Sequence, residues 1–238
     1  KMLELIHYSK SYQKDKYAVK DLSLKVEKGD LFAFIGHNGA GKSTTIKSIA
    51  GILPFEEGEI RIDGISIQKD PVACKKRIAY IPDNPDLYNA LTGMQYLNFI
   101  GDIFHVPKET RKEKIEKYGT MFELINDLNN FIGSYSHGMK QKLAIISAFL
   151  HSPKLLILDE PFVGLDPKAA FLVKQAMKNF CENGGAIFFS THVLEVAEKL
   201  CNKIAIIKNG TLVIQGTMEE VVQNGSLEEV FLESVNHE

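Results

Sequence analysis

The chain has 238 residues, 45% of them hydrophobic, and 28 Lys and Arg against 30 Asp and Glu give a formal net charge of −2. That is enough length and apolar content for a large core, and the charge excludes wholesale neutralisation of a nucleic-acid backbone, so no nucleic-acid partner is expected. Cys74, Cys181 and Cys201 are odd in number, far apart and without C-x-x-C spacing, which reads as a reduced, cytosolic setting, and no apolar run approaches the roughly eighteen residues of a membrane span.

In chain order, residues 3–8 and 22–26 alternate or cluster apolar side chains as strands do. Residues 31–35, LFAFI, suit a buried parallel strand. They run into residues 36–43, GHNGAGKS, which satisfy G-x-x-x-x-G-K-[ST] and open a helix near Ser43. Gly36, Gly39 and Gly41 are expected to take positive φ and turn successive N–H groups toward phosphate oxygens. Lys42 would reach the β- and γ-phosphates and Ser43 would offer its hydroxyl to Mg²⁺. The nucleotide-binding stretch is thus Gly36, His37, Asn38, Gly39, Ala40, Gly41, Lys42, Ser43 and Thr44.

Residues 59–62 and 65–67 flank Asp63-Gly64 and read as a hairpin. Beyond residues 78–81 the pattern turns helical over 91–104 and 108–124, breaks at 133–135, and resumes over 137–150. The basic stretch 108–117 alternates with Glu109, Glu113 and Glu116, as the solvated face of a helix with i,i+4 pairs would. Strands return at residue 155 and at 186–190, with a helix over 167–180 between them, so these two should pair in parallel. Residues 204–207 and 211–214 flank Asn209-Gly210, a two-residue hairpin turn. The expected fold is α/β: a P-loop NTPase core with a mixed sheet, an N-terminal antiparallel β-subdomain and an inserted α-helical subdomain. One domain, 2–238, would comprise a core of 2–83 and 152–238 and helices over 84–151.

Residues 155–161 read LLILDEP. Ligand sites of open α/β sheets lie at the C-terminal strand edge, where Asp159 is placed to hold Mg²⁺, mainly through water, and Glu160 to polarise a water against the γ-phosphorus.

Five segments in one order, GHNGAGKST, YSHGMKQK (135–142), LLILDEP, GLDP (164–167) and STH (190–192), resemble the ATP-binding subunit of ABC transporters. The resemblance covers essentially the whole chain. Asn202-Lys203-Ile204-Ala205 is not the guanine-reading N-K-x-D. The resemblance implies that Tyr12 stacks on adenine, with Tyr17 the weaker match. It implies that Ser136 and Gly138, in the signature segment with His137 and Met139, act on the γ-phosphate of ATP held by a partner chain. His137 and Met139 depart from the family's usual Gly and Gln, and His137 is expected at the phosphate edge or the surface. His192 matches the catalytic switch residue, and Asp166 the interface aspartate, with Gly164 turning the chain into it. Asp83 stands where the family usually has Gln, and is assigned a coupling and metal-proximal role; Asp can approach Mg²⁺ through water but cannot donate a hydrogen bond.

The cofactors so implied are ATP and Mg²⁺. The implied partners are a head-to-tail homodimer or heterodimer of ATPase subunits and a transmembrane permease, at the cytoplasmic face of the membrane. The motif variants look like a bacitracin-type or ABC-2-like exporter branch, and a helical stretch over about 84–101 would pass motion to the permease. A soluble ABC-type ATPase of translation or DNA repair is disfavoured, since such proteins carry duplicated halves or long coiled-coil insertions. A non-hydrolysing nucleotide switch is disfavoured by Glu160 and His192.

Overall fold

A computed structural model describes residues 1–13, 16–223 and 225–236 of the chain. The first strands, β1 (Leu3–Gln13) and β2 (Lys16–Val26), pair antiparallel, and β3 (Leu31–Ile35) leads through the glycine loop into α1 (Lys42–Ile49). β4 (Glu57–Ile62) and β5 (Ile65–Ser66) complete an antiparallel sheet of order β2-β1-β4-β5. After α2 (Pro71–Lys75) and β6 (Ile78–Ile81) come α3 (Gly93–Ile103), α4 (Lys108–Met121) and α5 (His137–Leu150). The chain then runs through β7 (Leu155–Asp159), α6 (Pro167–Glu182), β8 (Ala186–Thr191), α7 (Leu194–Leu200), β9 (Lys203–Lys208) and β10 (Thr211–Thr217), and α8 (Met218–Val222) and α9 (Leu227–Asn236) follow. The second sheet has the order β10-β9-β3-β8-β7-β6. All its pairings are parallel except the β9–β10 hairpin at its edge.

Every residue of β3, β7 and β8 is buried. Strands covered on both faces need side chains that tolerate burial on both, hence their near-continuous apolar runs. Alternation then divides the side chains between two cores. Phe32, Phe34, Leu155, Ile157 and Phe188 meet Ile46 and Ile49 of α1 and the antiparallel sheet. Ala33, Ile35, Leu156, Leu158 and Phe189 meet α5 and α6. Asp159 follows Ile157 by two residues, which places it on the α1 face, beside the glycine loop.

Both predicted hairpin turns form. Asp63 and Gly64 have φ of 50 and 79, and Asn209 and Gly210 have φ of 48 and 78, the double positive φ of type I′ turns that suit the twist of paired strands.

Three expectations are corrected. Residues 84–92 carry no helix; Pro82 and Pro85 bias the chain to extended backbone, and α3 begins only after Thr92, which forms a capping box with Gln95. Gly36 does not have positive φ, unlike Gly39 (81) and Gly41 (108). It is required for space, because a Cβ there would lie 2.5 Å from the Ile207 carbonyl oxygen. The basic face of α4 is also not simply solvated: Arg111 is buried against Asp102 of α3 at 2.8 Å. Lys114 Nζ caps the end of α5, donating to the carbonyls of Phe149 (3.1 Å) and Leu150 (2.9 Å). Among the described residues, no helix is long and apolar enough to cross a membrane.

Candidate active site

The glycine loop leaves β3 at the C-terminal edge of the parallel sheet and ends on Gly41, whose left-handed φ of 108 makes it the N-cap of α1. Helix N-termini present unpaired N–H groups and a positive dipole end, the arrangement that binds phosphate. The loop is wedged between two elements: a Cβ on Gly41 would lie 2.7 Å from the Ala18 carbonyl oxygen of β2. On the other side, the Gly210 N–H of the β9–β10 turn donates to the Ala40 carbonyl at 2.9 Å.

A cleft of about 340 Å³ opens over this loop, and it is lined by Tyr12, Ala18, Asn38, Gly39, Gly41, Lys42, Ser43, Thr44, Asp83, Asp159 and Glu160. Predicted residues from four separate stretches of sequence therefore share one cavity. Lys42 is buried, its Nζ donating to the carbonyls of Gly36 at 2.6 Å and His37 at 3.1 Å. Burial pulls its amine below the ordinary lysine value, opposed by the charges of Glu160 and Asp159. His37 itself turns onto the Asn38 carbonyl at 2.8 Å. The Tyr12 ring is 63% exposed, with Oη 3.2 Å from Thr44 Oγ1 and Lys10 Nζ 5.8 Å from the ring centroid, so a π-face is available beside the start of α1. Tyr17 is the more remote of the two tyrosines, donating to Glu57 at 3.0 Å and absent from the cleft wall.

Asp159 is 3% exposed and receives the Ser190 hydroxyl proton on Oδ1. Glu160, the next residue, takes φ of 48, a left-handed conformation that costs a residue with a Cβ about 1–2 kcal/mol. That turn brings Glu160 Oε1 to 2.8 Å from His192 Nδ1. A carboxylate accepts, so Nδ1 is the donor of this pair and Nε2 is the ring nitrogen left without a partner in it. Asp83 is exposed at the cleft rim, its Oδ1 accepting from the Asn84 N–H at 2.8 Å. Tyr80, not singled out by the motifs, has its hydroxyl pushed up to about 12 by burial first and then by Asp159 and Asp83. Alternation along β6 could have flagged it, but its partner strand could not be known from sequence.

The signature residues are elsewhere. Ser136 is the N-cap of α5, its Oγ accepting from the Met139 N–H at 3.2 Å. Ser136 and His137 are exposed, and none of residues 136–139 lines the cleft. His137 lies over Gly164, where a Cβ would come within 2.1 Å of its Cδ2. Asp166 caps α6, accepting from the Ala169 N–H at 2.9 Å, and that bond holds its carboxyl below the usual range. A larger cavity of about 660 Å³ lies between the antiparallel sheet and β10, but Lys203 on its wall is engaged by Asp30 at 2.8 Å and Glu4 by Lys1 at 2.9 Å, so we place the chemistry in the smaller cleft.

A glycine loop on a helix N-terminus, a buried lysine and two acids at the adjoining strand end define a phosphate-loop nucleotide triphosphatase. The family model for the ABC transporter matches residues 19–163. The chain is 35% identical over 220 residues to the ABC-type transporter ATP-binding protein EcsA of Bacillus subtilis (strain 168), covering 90% of this chain and 89% of that protein. It is likewise 35% identical to the linearmycin resistance ATP-binding protein LnrL of the same organism, over 92% of this chain and 70% of LnrL. A solved ATP-binding subunit of an ABC transporter superposes with a TM-score of 0.95 at 34% identity, covering 99% of this chain and all of that one. The chain belongs to the ATP-binding proteins of ABC transporters. It is an ATPase of the P-loop fold that binds ATP as a transporter subunit.

Proposed function

We propose that two such chains, identical or paired with a homologue, associate head to tail and hydrolyse ATP at two composite sites. The observation that carries this reading is the separation within one chain: the cleft gathers Lys42, Ser43, Asp159 and Glu160, while Ser136 and Gly138 lie outside it at the tip of α5. Each site then takes its phosphate loop from one chain and its signature segment from the other. In that arrangement Lys42 exchanges its loop carbonyls for β- and γ-phosphate oxygens, and Tyr12 stacks on adenine. Ser136 and the N–H groups at the start of α5 meet the γ-phosphate from the opposite side. Glu160 accepts the proton of the attacking water. His192, oriented by its Nδ1–H bond to Glu160, presents Nε2 at the γ-phosphate edge. Asp166 and its loop form part of the contact between chains, and the helices of residues 84–151 move as the inserted subdomain.

The donor set suits Mg²⁺: the Ser43 hydroxyl and the carboxylates of Asp159 and Asp83 are hard oxygen donors on one cavity wall, and Mg²⁺ binds through one or two carboxylates with the rest of its shell from phosphate and water. Bound there, it would neutralise phosphate charge. The chain would work at the cytoplasmic face of a membrane, docked on a permease, with Asp83 at the junction that reports nucleotide occupancy. Export is the direction we assign, from the signature and Asp83 variants and from the name of LnrL.

The test is Glu160→Gln. Turnover should fall by roughly two to four orders of magnitude, while ATP still binds and light scattering detects an ATP-dependent dimer. Near-normal turnover would remove Glu160 from the role of base, and a monomer at saturating ATP would remove the composite site. Lys42→Ala should instead weaken nucleotide binding itself.

A further inference from the structure

Ser190 faces both acids of the cleft from the neighbouring strand. It is fully buried and pairs in register with Asp159 at the C-terminal ends of β8 and β7. Its hydroxyl has one proton to give, and Asp159 Oδ1 receives it. Its oxygen retains lone pairs, and the Glu160 N–H donates toward one of them at 3.2 Å while also reaching the Ser190 carbonyl at 3.2 Å. Only one polarity is possible, because a carboxylate accepts and an amide donates. One hydroxyl therefore sets the orientation of the Asp159 carboxylate and braces Glu160 in its left-handed backbone, the conformation that carries its side chain to His192.

We infer that Ser190 is a positioning residue of the ATPase site, holding Asp159 and Glu160 in working geometry without touching nucleotide, since it is absent from the cleft wall. The inference rests on the reading of Glu160 as base and Asp159 as the metal-side acid. A serine that merely satisfied a strand end would affect folding but not the balance between binding and turnover.

The test compares Ser190→Thr with Ser190→Val, which match in volume and differ in the hydroxyl, so any overpacking cost on β8 is common to both; Ser190→Ala removes the hydroxyl without adding bulk. Val and Ala should turn over ATP roughly ten- to a hundredfold more slowly, with KM for ATP within about threefold of the parent, and Thr should stay within about threefold in kcat. A second readout needs no turnover: in a Glu160→Gln background, Ser190→Val should raise the Mg²⁺ concentration at half-saturation of fluorescent ATP analogue binding by roughly tenfold relative to Ser190→Thr. Equal kcat for Val and Thr, or a loss in Ala confined to KM, would overturn the proposal. If Glu160→Gln alone leaves turnover intact, the base assignment fails instead, and the Mg²⁺ titration still decides whether Ser190 holds Asp159.

Discussion

The three glycines of the phosphate loop are required for different reasons, and the difference is measurable. Gly39 has φ of 81 and open space where a Cβ would stand, whereas a Cβ on Gly36 would overlap the Ile207 carbonyl at 2.5 Å and Ala40 Cβ at 2.9 Å. Gly39→Ala should therefore cost only backbone strain, about 1 kcal/mol. Gly36→Ala must displace β9 or the loop, costing about 1–3 kcal/mol, and should also raise KM for ATP. Thermal unfolding and ATP titration of the two variants give the order; a Gly39→Ala protein less stable than Gly36→Ala would contradict it. At this scale most of the cleft was legible, because Lys42, Ser43, Asp159 and Glu160 sit at fixed offsets within two short motifs. The neighbours behind its wall, Ser190 and Tyr80, were not: they lie near Asp159 because β8 and β6 flank β7, and residues 31 and 79 positions from Asp159 share no local signal with it.

Elements carry the link between the cleft and the signature helix. The Gln141 side chain, fully buried in α5, donates from Nε2 to the Pro161 carbonyl at 3.3 Å. His137, one turn earlier, covers Gly164, whose φ of 77 turns the chain toward Asp166. A methyl group at position 164 would meet the imidazole, so Gly164→Ala should be markedly less harmful in a His137→Gly protein than in the parent. Thermal unfolding of the four proteins should give a coupling energy of about 1 kcal/mol or more; strictly additive effects would show that the ring does not clasp the turn. The hairpins and β7–α6–β8 were legible because Asp-Gly and Asn-Gly turns and the switch in apolar period are local. The late start of α3 was also written in the sequence, as two prolines and the Thr92–Gln95 capping pair, but apolar spacing alone hid it. The engagement of Arg111 and Lys114 was hidden because charge patterning along α4 does not say which neighbouring helix it meets.

At the scale of the whole molecule, the sequence indicated one antiparallel and one largely parallel sheet, but not the insertion of β3 between β8 and β9, which brings the glycine loop beside Asp159. Nor did it indicate how the two sheets are fastened. One fastening is Asp63, in the β4–β5 turn of the antiparallel sheet, which accepts from Lys154 at 2.5 Å, just before β7, and lies 3.4 Å from Arg77, just before β6. The hydrogen bond from Lys154 is the leading reason its carboxyl lies below the usual value, with the charges of Lys154 and Arg77 adding to it against partial burial. A carboxyl depressed in the folded state stabilises the fold at pH above its unfolded value, near 3.9, and loses that contribution as pH falls through the folded value. Asp63→Asn keeps a turn-compatible Asn-Gly pair and removes only the charge. Since the cluster is partly solvated, the cost at pH 7 should be below about 1 kcal/mol, or about 1–3 °C in Tm. The gap between parent and variant should close as pH is lowered from about 5 toward 3, because the parent then loses what the variant never had. A gap that persists unchanged to pH 3 would mean that Asp63 joins the sheets through its neutral hydrogen-bonding capacity, not its charge.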